Sequence, residues 1–223
     1  MSRFRGLLAS LLIGCLSAPA LAAEGPPVLV AALDVVRANA QGGSICGAVP
    51  PNPERPDRIK LAQLVAALPD PNASFQFGYM DVTPLGLAVL ADDVELLDML
   101  FAKGAHWRLD SFDSTAMYEA AQHGSPAMIK ALLRHGLGPD VRPSEGWPGL
   151  MAAAWQNRSD NVAVLLEAGA NANFALPNGN NALGGAVTCK NQDMVDALVR
   201  HGAKPDAKTR HLSKDRGIQF PDS

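Results

Sequence analysis

From Thr83 onward the apolar residues fall in clusters whose spacing repeats. Leu100-Phe101, Leu132-Leu133, Leu165-Leu166 and Leu198-Val199 each close an amphipathic stretch, and each pair ends shortly before a glycine. Those glycines, Gly104, Gly136, Gly169 and Gly202, lie 32, 33 and 33 residues apart. A second register runs in step: Thr83-Pro84-Leu85, Thr115-Ala116-Met117, Pro148-Gly149-Leu150 and Asn181-Ala182-Leu183 keep the same 32, 33 and 33 spacing. Alanine holds the sixth place of every copy, at Ala88, Ala120, Ala153 and Ala186. The apolar spacing within each stretch predicts amphipathic helices. Thr83 followed by Pro84 is a helix start, because the hydroxyl caps a free amide and proline suits the first helical position. A glycine after the last apolar pair stops a helix at low cost by turning left-handed. Asp140, Asn173 and Asp206 follow as turn residues.

The chain before Thr83 does not keep the period. Pro27–Asn39 and Arg58–Leu68 have helical apolar spacing, and Gln41–Asp57 between them is a Gly- and Pro-rich loop. Pro69-Asp70-Pro71-Asn72 stands where a preceding copy would turn. Phe75, Phe77 and Tyr79, two residues apart, predict a short strand or hairpin of the first loop. Met1–Ala22 is expected to lie outside the fold. Arg3 and Arg5 precede the apolar Leu7–Leu16, and Ala20-Leu21-Ala22 offers the small residues of a secretory cleavage site, so the mature protein is expected to begin near Ala23. The apolar stretch is too short to span a bilayer, which takes about 20 residues, and no later segment is long and apolar enough either. A second reading stands beside this one: Leu12-Ile13-Gly14-Cys15 is similar to a bacterial lipobox, in which Cys15 would be acylated and become the first residue.

The repeated unit resembles the ankyrin repeat, with its period of about 33 residues and a first helix opening T-P-L-H-x-A. Leu165–Asn173, LLEAGANAN, is close to the family's commonest wording. The family's histidine is absent, its positions holding Gly86, Tyr118, Met151 and Gly184, and the T-P-L triad occurs once. The resemblance covers Thr83–Thr209. It implies an all-α solenoid of stacked helix-turn-helix units with short hairpin-like loops. The expected organisation is a signal peptide (1–22), a degenerate N-terminal capping repeat with an enlarged loop (23–82), four repeats (83–114, 115–147, 148–180 and 181–209) and a C-terminal tail (210–223). Gly184-Gly185 inside a short helix predicts a weak last repeat, at about 1 kcal/mol per glycine relative to alanine.

Composition narrows the function. The chain has 223 residues and a formal charge of −3, with scattered charges of both signs. Nothing forms a basic row able to neutralise phosphates, so nucleic acid is excluded as the expected partner. Aromatics make up 5% of residues, which suits small, closely packed helices rather than an aromatic-rich sandwich. His135 and His201 precede the repeat glycines and are expected to serve the last helical turn structurally. His106 and His211 have no metal-ligand spacing to other groups, and no glycine-rich phosphate loop occurs, so no metal and no cofactor are expected. Helix layers stack at roughly 8–10 Å, which puts Cys46 and Cys189 on the order of 35 Å apart if Cys46 stays near the first layers. A disulfide needs Cα atoms within about 7 Å, so both thiols are expected to be free, or one to pair with a partner protein. Cys46 approaches Cys189 only if its loop runs along the whole stack.

What remains is surface. In the family the partner meets the loops between repeats and the exposed end of each first helix. Carried over by register, the loops hold Trp107, Phe112, Arg142, Trp147 and Phe174, and the helix ends hold Gln122, His123, Trp155, Gln156 and Thr188. All three tryptophans fall on that face, and tryptophan and arginine are the residues most enriched at interface hot spots. Each tryptophan is equally suited to covering the core edge, since amphipathic rings serve both roles. The expected function is an exported module that binds another protein, as an inhibitor, immunity or protective factor. The alternatives are a lipid-anchored scaffold and, remotely, an enzyme using Cys189 or His123.

Overall fold

The computed structural model describes residues 63, 65–77, 80–143 and 146–221. The leader with Cys15, the helix at 27–39, Cys46 and most of the helix at 58–68 lie outside the described residues, as do residues 78 and 79 of the predicted hairpin. The described chain falls into two compact units, one ending at Ser114 and the other starting at Thr115.

In the first unit, residues 65–67 are helical. A two-stranded antiparallel hairpin follows, β1 (Phe75–Phe77) with β2 (Met80–Val82), in the register Phe75↔Val82, Gln76↔Asp81 and Phe77↔Met80. This is the strand predicted from the alternating aromatics, and it leaves the architecture helical. Helix α1 (Pro84–Leu90) then begins as its sequence predicts, with Thr83 accepting a hydrogen bond from the Gly86 amide at 3.0 Å. Helix α2 (Val94–Ala102) runs back, capped by Asp93, whose carboxylate accepts from the Leu96 amide at 3.0 Å. Leu85, Leu97 and Leu100 are fully buried between the helices. Lys103, after α2, donates to the carbonyl oxygens of Val65 at 2.7 Å, Ala66 at 2.6 Å and Leu68. The ammonium thus closes the end of the helical turn at 65–67, where carbonyls lack intrahelical partners and the dipole favours a cation.

The second unit contains α3 (Ala116–Gln122), α4 (Pro126–Arg134), α5 (Gly149–Trp155), α6 (Ser159–Glu167), α7 (Ala182–Thr188), α8 (Gln192–Arg200) and α9 (Ala207–Arg216). They form pairs: α3, α5 and α7 pack side by side in one row, α4, α6 and α8 in a second, and α9 lies on α7. Small residues let the first row approach closely. A Cβ on Gly149 would meet Met117 Cγ at 2.9 Å, and one on Gly185 would meet Trp155 Cδ1 at 2.7 Å. Met117, Met128, Ile129, Leu132, Leu150, Met151, Leu165, Leu183, Met194 and Leu198 fill the space between the rows. Each such burial is worth about 1.5–3 kcal/mol against exposure.

The four repeat glycines take φ of +95° at Gly104, +82° at Gly136, +82° at Gly169 and +88° at Gly202. Nothing stands within 4 Å of a Cβ placed there, so backbone conformation alone selects glycine. Gly169→Ala is therefore expected to lower stability by about 1 kcal/mol through the left-handed penalty, read as a shifted urea midpoint with an unchanged slope.

Not every predicted start is built as expected. Thr115 sits in a 3-10 turn (Phe112–Thr115) and its side chain does not cap α3. Asn181 does cap α7, accepting from the Gly184 amide at 2.7 Å. The Gly184-Gly185 pair does not leave an open end. Helix α9, capped by Asp206 through the Thr209 amide at 2.6 Å, covers α7. Gln219 and Gln192 exchange two hydrogen bonds that bring the last described residues onto α8.

Candidate functional site

The loops carrying the predicted site residues are held in register by one recurring device. Asn173 accepts from the Lys204 amide at 2.8 Å and donates to the Gly202 carbonyl at 2.8 Å. Asp140 accepts from the Asn171 amide at 3.0 Å and 3.2 Å. In the first unit Asn72 accepts from the His106 amide at 2.9 Å and donates to the Gly104 carbonyl at 3.3 Å. Asn72, Asp140 and Asn173, turn residues legible in the sequence, are thus clasps that lace each loop to the next, whereas Asp206 caps α9. His135 and His201 occupy the C-cap positions of α4 and α8, and His201 Nδ1 lies 2.9 Å from the Ala197 carbonyl. That is the role expected of them.

Within the second unit four predicted residues come together in pairs. The Arg142 guanidinium lies over the Phe174 ring, 4.6 Å from its centroid, a geometry in which the cation meets the negative face of the ring. The same guanidinium donates to the carbonyls of Pro143 at 3.2 Å and Gly146 at 3.4 Å, which shapes its own loop. Trp147 and Trp155 meet edge to face at 5.8 Å. Trp155 also donates its indole N–H to the Asn181 carbonyl at 3.0 Å and lies against the backbone of Gly185. All four side chains, with Gln122, Gln156 and Thr188, are half-buried, whereas His123 is exposed. Although exposed, its ring is partly desolvated by surrounding protein atoms and lies near Arg158, and both hold His123 below its ordinary pKa.

In the first unit Trp107 packs edge to face on Phe101 at 5.2 Å. The loop there is folded around a buried carboxylate. Asp113 accepts from the Thr83 hydroxyl, and from the Arg108 amide at 2.9 Å. Burial raises its pKa despite these lowering hydrogen bonds. Phe112, adjacent to it, begins the 3-10 turn. Leu109 projects from the same loop with 52% of its surface exposed, the one large apolar side chain so exposed among the described residues. The sequence reading missed it, although an apolar residue between Arg108 and Asp110 in a loop is a visible signal.

Two more residues escaped that reading. Glu119, on α3, is 4% exposed, and burial alone raises its pKa to about 7. Its register position holds Leu87, Ala152 and Gly185 in the other copies, so the repeat itself marks it as an interior place. Asn161, also buried, turns its amide nitrogen toward the carbonyls of Ala121 at 3.1 Å and Gly124 at 3.1 Å, closing the end of α3. Its own carbonyl oxygen has no hydrogen-bond partner. Among the described residues no group of three or more His, Cys, Asp or Glu could hold a metal ion, and no helix is long and apolar enough to cross a membrane.

Cys189 corrects an expectation. It is disulfide-bonded rather than free.

Comparison with known proteins agrees with the repeat. The family model for ankyrin repeats in three copies matches residues 85–176, and the model for a single ankyrin repeat matches residues 178–210. The B-cell lymphoma 3 protein homolog of Mus musculus is 33% identical over 148 residues, covering 61% of this chain and 33% of that protein. Potassium channel AKT2/3 of Arabidopsis thaliana is 35% identical over 92 residues, 41% of this chain and 11% of the channel. The putative ankyrin repeat protein FPV031 of Fowlpox virus (strain NVSL) is 26% identical over 145 residues, 62% of this chain and 42% of the viral protein. The chain thus spans well under half the length of each of these relatives.

Proposed function

Because this chain belongs to the ankyrin-repeat family, whose repeats serve as protein-interaction modules, we propose that it is an exported protein that binds one envelope or extracellular protein through its loop and helix-end face. The observation that carries this reading is the joined set Arg142, Phe174, Trp147 and Trp155. Aromatic and arginine side chains fixed by neighbours lose little freedom on binding, which is what interface anchors require. The exposed Leu109 supplies an apolar contact of its own. Export is supported by the leader Met1–Ala22, with its basic start, short apolar core and Ala-x-Ala end, and by the disulfide at Cys189, since such bonds persist in oxidising compartments. The role is inhibition, immunity or protection of the partner.

The test compares wild type with Phe174→Ala and Leu109→Ala variants in a pull-down from envelope extract, with folding matched by circular dichroism. One stoichiometric partner is expected, with affinity reduced at least about tenfold by each truncation, as at an interface hot spot. Equal capture by all three proteins would place the partner elsewhere. A second reading rests on Leu12-Ile13-Gly14-Cys15: a lipid-anchored scaffold acylated at Cys15. An intact mass of the mature protein decides it, because a lipidated N-terminus at Cys15 and a free one at Ala23 differ in both length and modification.

A further inference from the structure

Helix α9 carries charge of one sign on its free side. From Lys204 to Arg216 the chain holds five cations, Lys204, Lys208, Arg210, Lys214 and Arg216, against two carboxylates, Asp206 and Asp215. That is a net +3 in a chain of formal charge −3, so the remainder carries −6. All five cations are exposed. We propose that the free side of α9 is a docking surface for an anionic lipid bilayer, held by charge at the headgroups without insertion.

Local structure sorts these charges. Helix α9 packs on α7, and its Thr209 and Ser213 side is buried. The helical turn places Lys208, His211 and Lys214 on the opposite side, with Arg210 at its border. Neither carboxylate is left to balance them. Asp206 caps the helix, accepting from the Thr209 amide at 2.6 Å and from the Asn181 side-chain amide at 3.3 Å. Asp215 lies 3.9 Å from the His211 ring nitrogen. Three of the cations are anchored. Lys208 donates to the Asn178 carbonyl at 3.2 Å and to Asn180 Oδ1 at 3.0 Å. Arg210 donates to the Pro205 carbonyl at 3.2 Å, and Arg216 to that of Thr188 at 3.3 Å. These acceptors are uncharged, so they position the side chains without neutralising them. Along the sequence the acids interleave with the cations and hide the row, and the fold exposes it.

The chemistry of the surface favours lipid over protein. A terminal helix in a repeat stack needs a polar outer side, but polarity does not demand one sign. Helix α8 meets solvent with both signs, Asp193 and Arg200 being exposed. A protein interface centres on aromatic and apolar anchors and is depleted of lysine. No large apolar side chain is exposed on α9, Leu109 being the one such residue among the described residues. A helix that enters the membrane interface does so with an apolar face, so contact here stays at the headgroups. Headgroup phosphates are numerous and laterally mobile, and they meet scattered lysines and arginines without a fitted pocket. Each cation near such a surface strengthens binding by a factor of about five. The negative remainder of the chain is repelled by the same surface, which confines contact to this segment.

The test needs neither the proposed protein partner nor any assumption about export. The full chain is acetylated at its lysines in the presence of vesicles, and the rate at each lysine is read by mass spectrometry. One set of vesicles is phosphatidylcholine and phosphatidylglycerol in equal parts, the other phosphatidylcholine alone. The anionic set is expected to slow acetylation of Lys204 and Lys214, and to leave Lys130 on α4 unchanged. Neutral vesicles should slow none of the three. Raising the salt to about 1 M shortens the screening length to about 3 Å and should abolish the protection. The Lys204→Gln/Lys214→Gln variant should bind the anionic vesicles more weakly than wild type by more than about tenfold. A Lys130→Gln/Lys190→Gln control, which loses the same charge elsewhere, should bind as wild type does. Equal rates at all three lysines, equal protection by neutral vesicles, or equal weakening in the control would each overturn the proposal. Protection by a polyglutamate peptide but not by anionic vesicles would assign the surface to an acidic protein and overturn it too. The footprint is read on the unmutated chain, so it decides even if a variant folds poorly.

Discussion

Replacing Glu119 by glutamine is expected to leave stability nearly unchanged at pH 4 and to raise it by roughly 3 kcal/mol at pH 8. The carboxyl is buried on α3, and desolvation lifts its pKa from 4.5 to about 7. The folded protein therefore binds this proton more tightly than the unfolded chain does. Its contribution to stability is fully present below about pH 4.5 and is lost as pH rises through 7, where folding must either bury a carboxylate or take up a proton from solvent. Each pKa unit corresponds to about 1.4 kcal/mol, which sets the size of the effect. Glutamine keeps the shape and removes the titration. His123, one turn further along, is exposed at its surface, yet the protein atoms around it and Arg158 lower its pKa. Its contribution is present above its unfolded value and is lost as pH falls, opposite in sign to that of Glu119. Because His123 is present in both proteins, its effect largely cancels in the difference. Urea unfolding of both proteins between pH 4 and 8 measures that difference directly. A difference that stays flat across this range would show that solvent reaches the carboxyl.

Trp155→Ala is expected to cost about 3–4 kcal/mol, the range for emptying a large aromatic site. The ring loses its edge-to-face contact with Trp147 and its hydrogen bond to the Asn181 carbonyl. It also vacates the space over Gly185, where no side chain fits while it is present. Two consequences follow from that geometry. Gly185→Ala should be strongly destabilising in the wild type and much less so beside Trp155→Ala, a coupling that a double-mutant cycle in urea reads. A loss under 1 kcal/mol for Trp155→Ala, or additivity in the cycle, would mean that the indole does not bridge the two repeats. Because Trp155 is bound into the stack, its truncation is a poor probe of binding. Phe174 and Leu109 serve that purpose better.

Several features are legible in the sequence alone. The glycines at 104, 136, 169 and 202 have the left-handed backbone that their place after paired apolar residues predicts. Thr83 caps α1 as the Thr-Pro opening implies. The alternation Phe75, Phe77 does mark a hairpin. Other features were read only in part, because one residue type serves several ends. Gly184-Gly185 looks like a helix weakened by two glycines, yet Gly185 is the space into which Trp155 packs. Asp140 and Asn173 look like turn formers, yet each binds backbone some thirty residues away. Glu119 drew no notice, although its register position holds Leu87, Ala152 and Gly185 in the other copies.

The sequence by itself determined the repeat, its period and its helical pairs, because those follow from local periodicity and from backbone preferences confined to a few neighbouring residues. Only the tertiary structure decided which arginine sits over which ring, which carboxyls are desolvated and that Cys189 carries a disulfide. Those depend on distances between residues a full repeat or more apart. A 33-residue period fixes which register positions are adjacent in space, but not how any side chain there is oriented or how much water it keeps.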